Sequence, residues 1–229
     1  MPDKLERKSA VATGRGDDGT TGLLFGGERV FKDDPRTEAC GAIDEAVAAL
    51  GLARAELGLQ AQHGSLPRTL ARLPDLILRV QRELFVAGAE LATVPAAVDR
   101  QKPGETRVTA DMVDGLDELL AETEAAIELP SEFVVPGETR LSAALELART
   151  IVRRAERRAV AVRRSEPIPE DHLLPYLNRL ADLLWIFARA AEQGESRAAT
   201  PSRAASRGDP ADATRLRARR GPRSDVPKR

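Results

Sequence analysis

Apolar and polar positions alternate with a helical period along most of this chain. Five blocks between residues 35 and 192 place apolar side chains three and four positions apart, and polar links separate the blocks. Asp33-Asp34-Pro35 opens the first block, with Asp34 suited to the cap and Pro35 to the first helical position. That helix is expected from Pro35 to about Leu59, with Ile43, Ala46, Val47 and Leu50 on its apolar side. A second is expected from Pro74 to Thr93. The link at 94–108, with two prolines and a glycine, then leads to Thr109, the cap of a third helix that ends near Ile127. An irregular link at 128–140 precedes a fourth helix, Leu141 to about Arg164. Beyond Pro167 and Pro169, a fifth runs from about Glu170 to Glu192. No strand–turn–strand pattern is visible. Five helices on short or moderate loops predict an all-α fold, an up-and-down five-helix bundle.

The flanks differ from this block. Residues 1–32 form a polar, glycine-rich N-terminal segment, 33–194 the bundle, and 195–229 an arginine-rich tail. The tail has Leu216 and Val226 as its only large apolar residues, too few to offset the entropy of ordering, so it is expected to be disordered. The whole chain of 229 residues has net charge −1, yet the tail carries ten basic residues against four acidic ones. Nucleic-acid association through the tail would be non-specific and salt-sensitive, and the mixed composition favours a plain solubilising extension. The single cysteine, Cys40, excludes an intrachain disulfide framework and fits a reducing compartment. No apolar run approaches the ~20 residues needed to span a bilayer, and the first residues lack the apolar core of a secretory signal. A cytoplasmic protein without a membrane association is expected.

Three segments carry candidate chemistry. Ala148–Val160 reads ARTIVRRAERRAV. At about 100° per residue, Arg149, Arg153 and Arg157 share one face with Glu156 at its edge. Ala148, Ile151, Val152, Ala155, Ala159 and Val162 form an apolar seam elsewhere on the helix. Guanidinium groups grip phosphate with paired hydrogen bonds, although a solvated face with internal ion pairs accounts for the pattern too. The second segment is Thr13–Gly27, TGRGDDGTTGLLFGG. Its glycines can turn backbone N–H groups toward an anion. It is no P-loop, since it lacks the G-K-[ST] sequence, and taken alone it reads more as an unstructured terminus than as an anion loop. The third segment is Tyr176–Arg189. Leu177, Leu180, Ala181, Leu184, Phe187 and Ala188 make a core face, and Asn178, Asp182, Trp185 and Arg189 make a polar stripe. Trp185 on that stripe suggests a subunit contact or a ligand wall. His63 and His172, the only histidines, form no E-x-x-H pair of the di-iron kind, and no nucleophilic triad emerges.

Together these segments resemble the PduO-type ATP:cob(I)alamin adenosyltransferases. The likeness rests on GDDGTTGLLFGGERVFKDDPR at 16–36, GAIDEAVAALG at 41–51, FVVPGE at 133–138, ARTIVRRAERR at 148–158 and YLNRLADLLWIFAR at 176–189, in the family's order. The resemblance implies a ferritin-like five-helix bundle that forms a homotrimer, with sites between subunits. It implies transfer of the 5′-deoxyadenosyl group of ATP to the cobalt of cob(I)alamin, with release of triphosphate and with Mg2+ as cofactor. By position, Thr13, Gly14, Gly16, Asp17, Gly19, Thr20, Thr21 and Lys32 would wrap the ATP phosphates. Arg153, Glu156, Arg157 and Asn178 would contact nucleotide from the neighbouring subunit, Arg153, Glu156 and Arg157 as the catalytic set and Glu156 as the Mg2+ ligand. Asp44 and Arg149 would form an intersubunit ion pair beside the corrinoid, and Phe133 would fill the lower face of the cobalt. Arg154 and Arg158 have no such assignment and are expected to face solvent or another subunit. Implied partners are a corrinoid reductase and an acceptor such as an adenosylcobalamin-dependent mutase or dehydratase. The alternative is a non-catalytic helical sensor or chaperone that binds ATP or cobalamin. Four departures stand out: an extra leucine in LLFGG, Ala46-Val47 after Asp44-Glu45, Glu138 where a second glycine is usual, and Glu146 where a histidine is often found. Removal of 195–229 is expected to leave adenosylation intact.

Overall fold

In a computed structural model the described residues are 11–64, 66–167 and 171–203. Helix α1, Pro35–His63, begins where the Asp34 carboxylate accepts from the Arg36 N–H at 2.8 Å. It runs past Leu59 because Gln60, Ala61 and Gln62 are compatible with a helix, and Gly64 follows its end. Helix α2 spans Leu73–Leu91, followed by a 3-10 helix at Pro95–Arg100. Helix α3, Ala110–Ala126, starts on the Thr109 hydroxyl, which accepts from the Met112 N–H. A reciprocal cap between Thr139 and Ser142 starts α4, Arg140–Ser165. Helix α5, Leu173–Gly194, begins beside Asp171, whose carboxylate accepts from the Leu173 N–H at 3.0 Å. The expected start at Glu170 lies outside the described residues, as do the expectations for 1–10 and 204–229.

The helices run alternately. Arg140 at the start of α4 pairs with Glu56 late in α1, and Arg158 toward the end of α4 pairs with Glu38 early in α1. Glu146 near the α4 start meets Arg189 near the α5 end. Arg72 beside the α2 start meets Glu122 late in α3. The pair α1–α4 is the most extensive contact. Alanines make it possible: Ala39, Ala42, Ala46 and Ala53 on α1, and Ala148, Ala155 and Ala159 on α4, are buried and let the two backbones approach closely. The seam read from the sequence is the one used, with Val152 and Val162 buried and Ile151 half-buried. On α5, all six expected core residues are buried.

Buried charges close one end of the bundle, where α2 and α4 finish and α1 begins. Arg163 pairs with Glu90 at 2.5 Å and with Asp171 at 3.1 Å, and the second Glu90 oxygen accepts from the Val108 N–H at 2.7 Å. Arg36 donates to the carbonyls of Leu91 and Thr93, at 2.9 and 2.8 Å, and pairs with Glu166. Burial raises the Glu90 carboxyl above its ordinary range against these bonds.

Three expectations change here. Short strands exist: β1, Thr20–Thr21, pairs antiparallel with β2, Val30–Phe31, and β3, Val134–Val135, with β4, Thr200–Pro201. Two-residue pairings are too short to leave an alternating pattern in the sequence. The β3–β4 pairing also corrects the tail boundary, because residues 195–203 leave α5 and dock on the Phe133 loop. There the Ser202 N–H donates to the Phe133 carbonyl at 2.7 Å and Thr200 hydrogen-bonds Glu138. Finally, Arg154 and Arg158 pair with Glu45 and Glu38 on α1 of the same chain. The sequence periodicity could not show that these glutamates lie opposite.

Candidate active site

The glycine-rich loop is shaped by its own residues. Gly14 and Gly19 have φ of 71° and 79°, a region open to glycine at little cost. The Asp18 carboxylate accepts from the Thr20 N–H at 2.9 Å and the Thr20 hydroxyl at 2.8 Å, and these bonds hold its pKa below the ordinary value. Arg29, which sequence reasoning missed, staples the loop: it donates to the Thr20 hydroxyl at 2.7 Å, the Thr20 carbonyl at 2.9 Å and the Arg15 carbonyl at 2.8 Å. The Lys32 N–H donates to the Gly19 carbonyl, and its ammonium end lies so close over Gly16 that a Cβ there would sit 3.1 Å from Nζ. Any larger residue at 16 would push the ammonium away. Thr13 and Asp17 are exposed, and Thr21 is half-buried in β1. The loop is anchored to the bundle by the Leu24 N–H on the Ala92 carbonyl at 3.0 Å and by Arg100, which donates to the Phe25 carbonyl and stacks 4.7 Å from the Phe25 ring. The loop thus presents polar backbone, hydroxyls and one ammonium to solvent, anchored at the α2 end of the bundle.

The second group lies on α4 and α5. A cavity of about 390 Å³ is lined by Phe133, Val134 and Pro136 from the loop before α4, by Glu146, Arg149 and Arg153 from α4, and by Ala181, Asp182 and Trp185 from α5. Phe133 is 88% exposed, an unusual state for a phenylalanine held on a paired strand end. Arg153 is exposed. One turn on, Arg157 donates Nη1–H to the Arg153 carbonyl at 2.9 Å. Glu156 accepts from the Asn178 Nδ2 at 3.3 Å, and Asn178 in turn accepts from Arg179, which also binds Asp117. That chain joins α4, α5 and α3. Trp185 lines this cavity, but Arg189 leaves the stripe. It is buried, lies 5.5 Å from the Trp185 ring and pairs with Glu192 at 2.8 Å. Stripe spacing alone predicts an outward-facing arginine, and two buried carboxylates, Glu146 and Glu192, draw it in.

Asp44 is exposed on α1. Within the chain, the Arg149 Nε–H donates to Glu146 at 2.6 Å instead. None of the loop residues lines the α4–α5 cavity, so the candidate residues fall into two separate groups on different elements. Among the described residues no three acidic, histidine or cysteine side chains form a metal cage. A single carboxylate such as Glu156 suits Mg2+ shared with phosphate oxygens better than a cation held by protein alone. A second, mostly apolar cleft of about 300 Å³ between the α2 start, the α3 end and α5 contains none of the candidate residues.

Comparison with known proteins adds an independent finding. A family profile described as cobalamin adenosyltransferase matches residues 11–191. A corrinoid adenosyltransferase of Citrobacter freundii is 37% identical over 80% of this chain and 94% of its own length. One of Bacillus subtilis is 41% identical over 77% of this chain and 83% of its own. Among solved structures, a variant PduO-type ATP:corrinoid adenosyltransferase from Lactobacillus reuteri, complexed with cobalamin and ATP, superposes with a TM-score of 0.72 at 29% identity, over 84% of this chain and 96% of that one.

Proposed function

Because the chain belongs to the cobalamin adenosyltransferase family, we propose that it transfers the 5′-deoxyadenosyl group of ATP to the cobalt of cob(I)alamin and releases triphosphate. The observation that carries this reading is the α4–α5 cavity, whose lining combines an exposed aromatic, Phe133, with Arg149 and Arg153. The aromatic suits a large apolar ring and the guanidiniums suit anionic oxygen. Cob(I)alamin is itself a strong nucleophile, so no general base is required. The cobalt electron pair forms the bond to C5′ while the C5′–O bond breaks and its electrons leave with triphosphate. The protein's work is therefore placement and charge stabilisation.

Arg153 and Arg157 take the leaving charge, and Asn178 orients Glu156. Mg2+ held by Glu156 together with phosphate oxygens would neutralise part of the triphosphate charge. Thr13, Gly14, Gly16, Asp17, Gly19, Thr20, Thr21 and Lys32 wrap the phosphates with backbone N–H groups, hydroxyls and one ammonium. Phe133 keeps a lower ligand off cobalt, which eases its reduction.

The loop and the arginine helix come together between copies in a homotrimer of five-helix bundles. Supporting this are the anchoring of the loop at the α2 end, the exposed Asp44 beside the α1–α4 face, and the exposed Leu52 and Leu147 on that face. A reductase supplies the cob(I) state, and an adenosylcobalamin-dependent mutase or dehydratase takes the product. The test mixes folded protein, ATP, Mg2+ and chemically reduced cobalamin in the absence of oxygen. Conversion to the adenosylcobalamin spectrum is expected, whereas ATP binding without conversion would favour the sensor or chaperone reading.

A further inference from the structure

Glu146 is 3% exposed, lines the cavity and holds two arginines from two helices. One oxygen accepts from Arg149 Nε at 2.6 Å, one turn along α4. The other lies 3.4 Å from Nη2 of Arg189 on α5. Arg189 is 1% exposed and lies against the Trp185 ring, the opposite wall of the same cavity. Its Nε and Nη1 have no hydrogen-bond partner among the described residues, so its position depends on what Nη2 reaches: Glu146 and Glu192. Glu192 sits on α5 itself and meets the Ser142 hydroxyl on α4, whereas Glu146 joins the two helices through a guanidinium from each.

We propose that Glu146 is the positioning residue of the corrinoid pocket, a buried carboxylate that fixes Arg149 on the α4 wall and, through Arg189, Trp185 on the α5 wall. The proposal rests on the corrinoid reading of the cavity. It differs from the intersubunit pairing of Arg149 with Asp44, because it gives Arg149 a partner within its own chain. Using Nε for Glu146 leaves both Nη groups at the far end of the guanidinium for corrinoid amide oxygens or for a neighbouring subunit. A buried carboxylate between two guanidiniums holds them more firmly than a surface pair, since loss of one partner leaves a charge stranded away from water.

The experiment compares wild type, Glu146→Gln, Arg149→Gln and the double variant. Trp185 is the only tryptophan in the chain, so its emission reports the α5 wall in protein free of substrate. Glu146→Gln is expected to shift that emission, to raise the corrinoid KM about tenfold, as loss of a charge-assisted bond implies, and to leave the ATP KM within twofold. On the Arg149→Gln background the same change should raise the corrinoid KM less than threefold. The double variant removes both members of the Glu146–Arg149 pair, so it remains informative where the single change impairs folding. Unchanged emission together with an unchanged corrinoid KM would overturn the proposal, as would full additivity of the two substitutions. Wild type that fails to adenosylate reduced cobalamin would instead refute the corrinoid reading, and the emission shift would still decide whether Glu146 orders the wall.

Discussion

Arg153 bears the most specific residue-level expectation, because it lines the cavity while its neighbours on α4 are already paired within the chain. Arg153→Ala is expected to lower kcat about a hundredfold, the scale seen when one donor to developing charge is lost, while corrinoid affinity and assembly stay unchanged. Steady-state kinetics with gel filtration checks this, and a kcat within threefold of wild type would remove Arg153 from the catalytic set. Glu192 gives a pH expectation. Burial raises its carboxyl above the ordinary value of 4.5, against the pull of Arg189. The unfolded chain then releases this proton at lower pH than the folded one, so this group's contribution to stability falls as pH rises from about 4.5 through the raised value. Glu192→Gln lacks that loss. The difference in Tm between variant and wild type should therefore shift in the variant's favour as pH rises through that window, and a flat difference would contradict it. The motifs at 148–158 and 176–189 were legible because arginine density and helical spacing are written in the sequence. The inward turn of Arg189 and the α1 partners of Arg154 and Arg158 were not, since a period gives a residue's own face and says nothing of the charge opposite.

Element starts are legible where a local signal marks them. Asp34-Pro35 and Thr109 start helices in the structure as the cap rules require. Helix α1 continues past the expected end at Leu59, because nothing in Gln60–Gln62 breaks a helix. The β3–β4 pairing was invisible for a different reason: its partners lie far apart in sequence, and each is two residues long. It changes what truncation should do. A chain ending at Arg203 is expected to keep full adenosylation. One ending at Arg197 loses β4, the Ser202 bond to the Phe133 carbonyl and the Thr200 contact to Glu138. That chain should show a several-fold higher corrinoid KM with little change in ATP KM, on the scale of one or two lost hydrogen bonds. Equal kinetics for the two truncations would mean that the docked segment does not hold the loop.

At the scale of the whole molecule, the sequence pointed to a helical fold because the apolar seams of α1, α4 and α5 repeat with period 3.6 and are used as written. The arrangement of the candidate site is less legible, because its residues sit on elements that no local pattern connects. Complementation tests the placement of sites between subunits. Lys32→Ala impairs the loop and Arg153→Ala the helix, and each variant alone should be weakly active. Co-expressed, they would assemble interfaces that combine an intact loop with an intact α4, and a substantial fraction of activity should return. No recovery in mixed assemblies would place both halves of each site within one subunit. The central claim has a more direct test. Folded protein in excess is mixed with ATP, Mg2+ and a limiting amount of cob(I)alamin without oxygen, and corrinoid and phosphate products are quantified together. One adenosylcobalamin and one triphosphate are expected for each cob(I)alamin consumed. Cob(I)alamin left unalkylated, or ATP cleaved to diphosphate and phosphate without a cobalt–carbon bond, would contradict it.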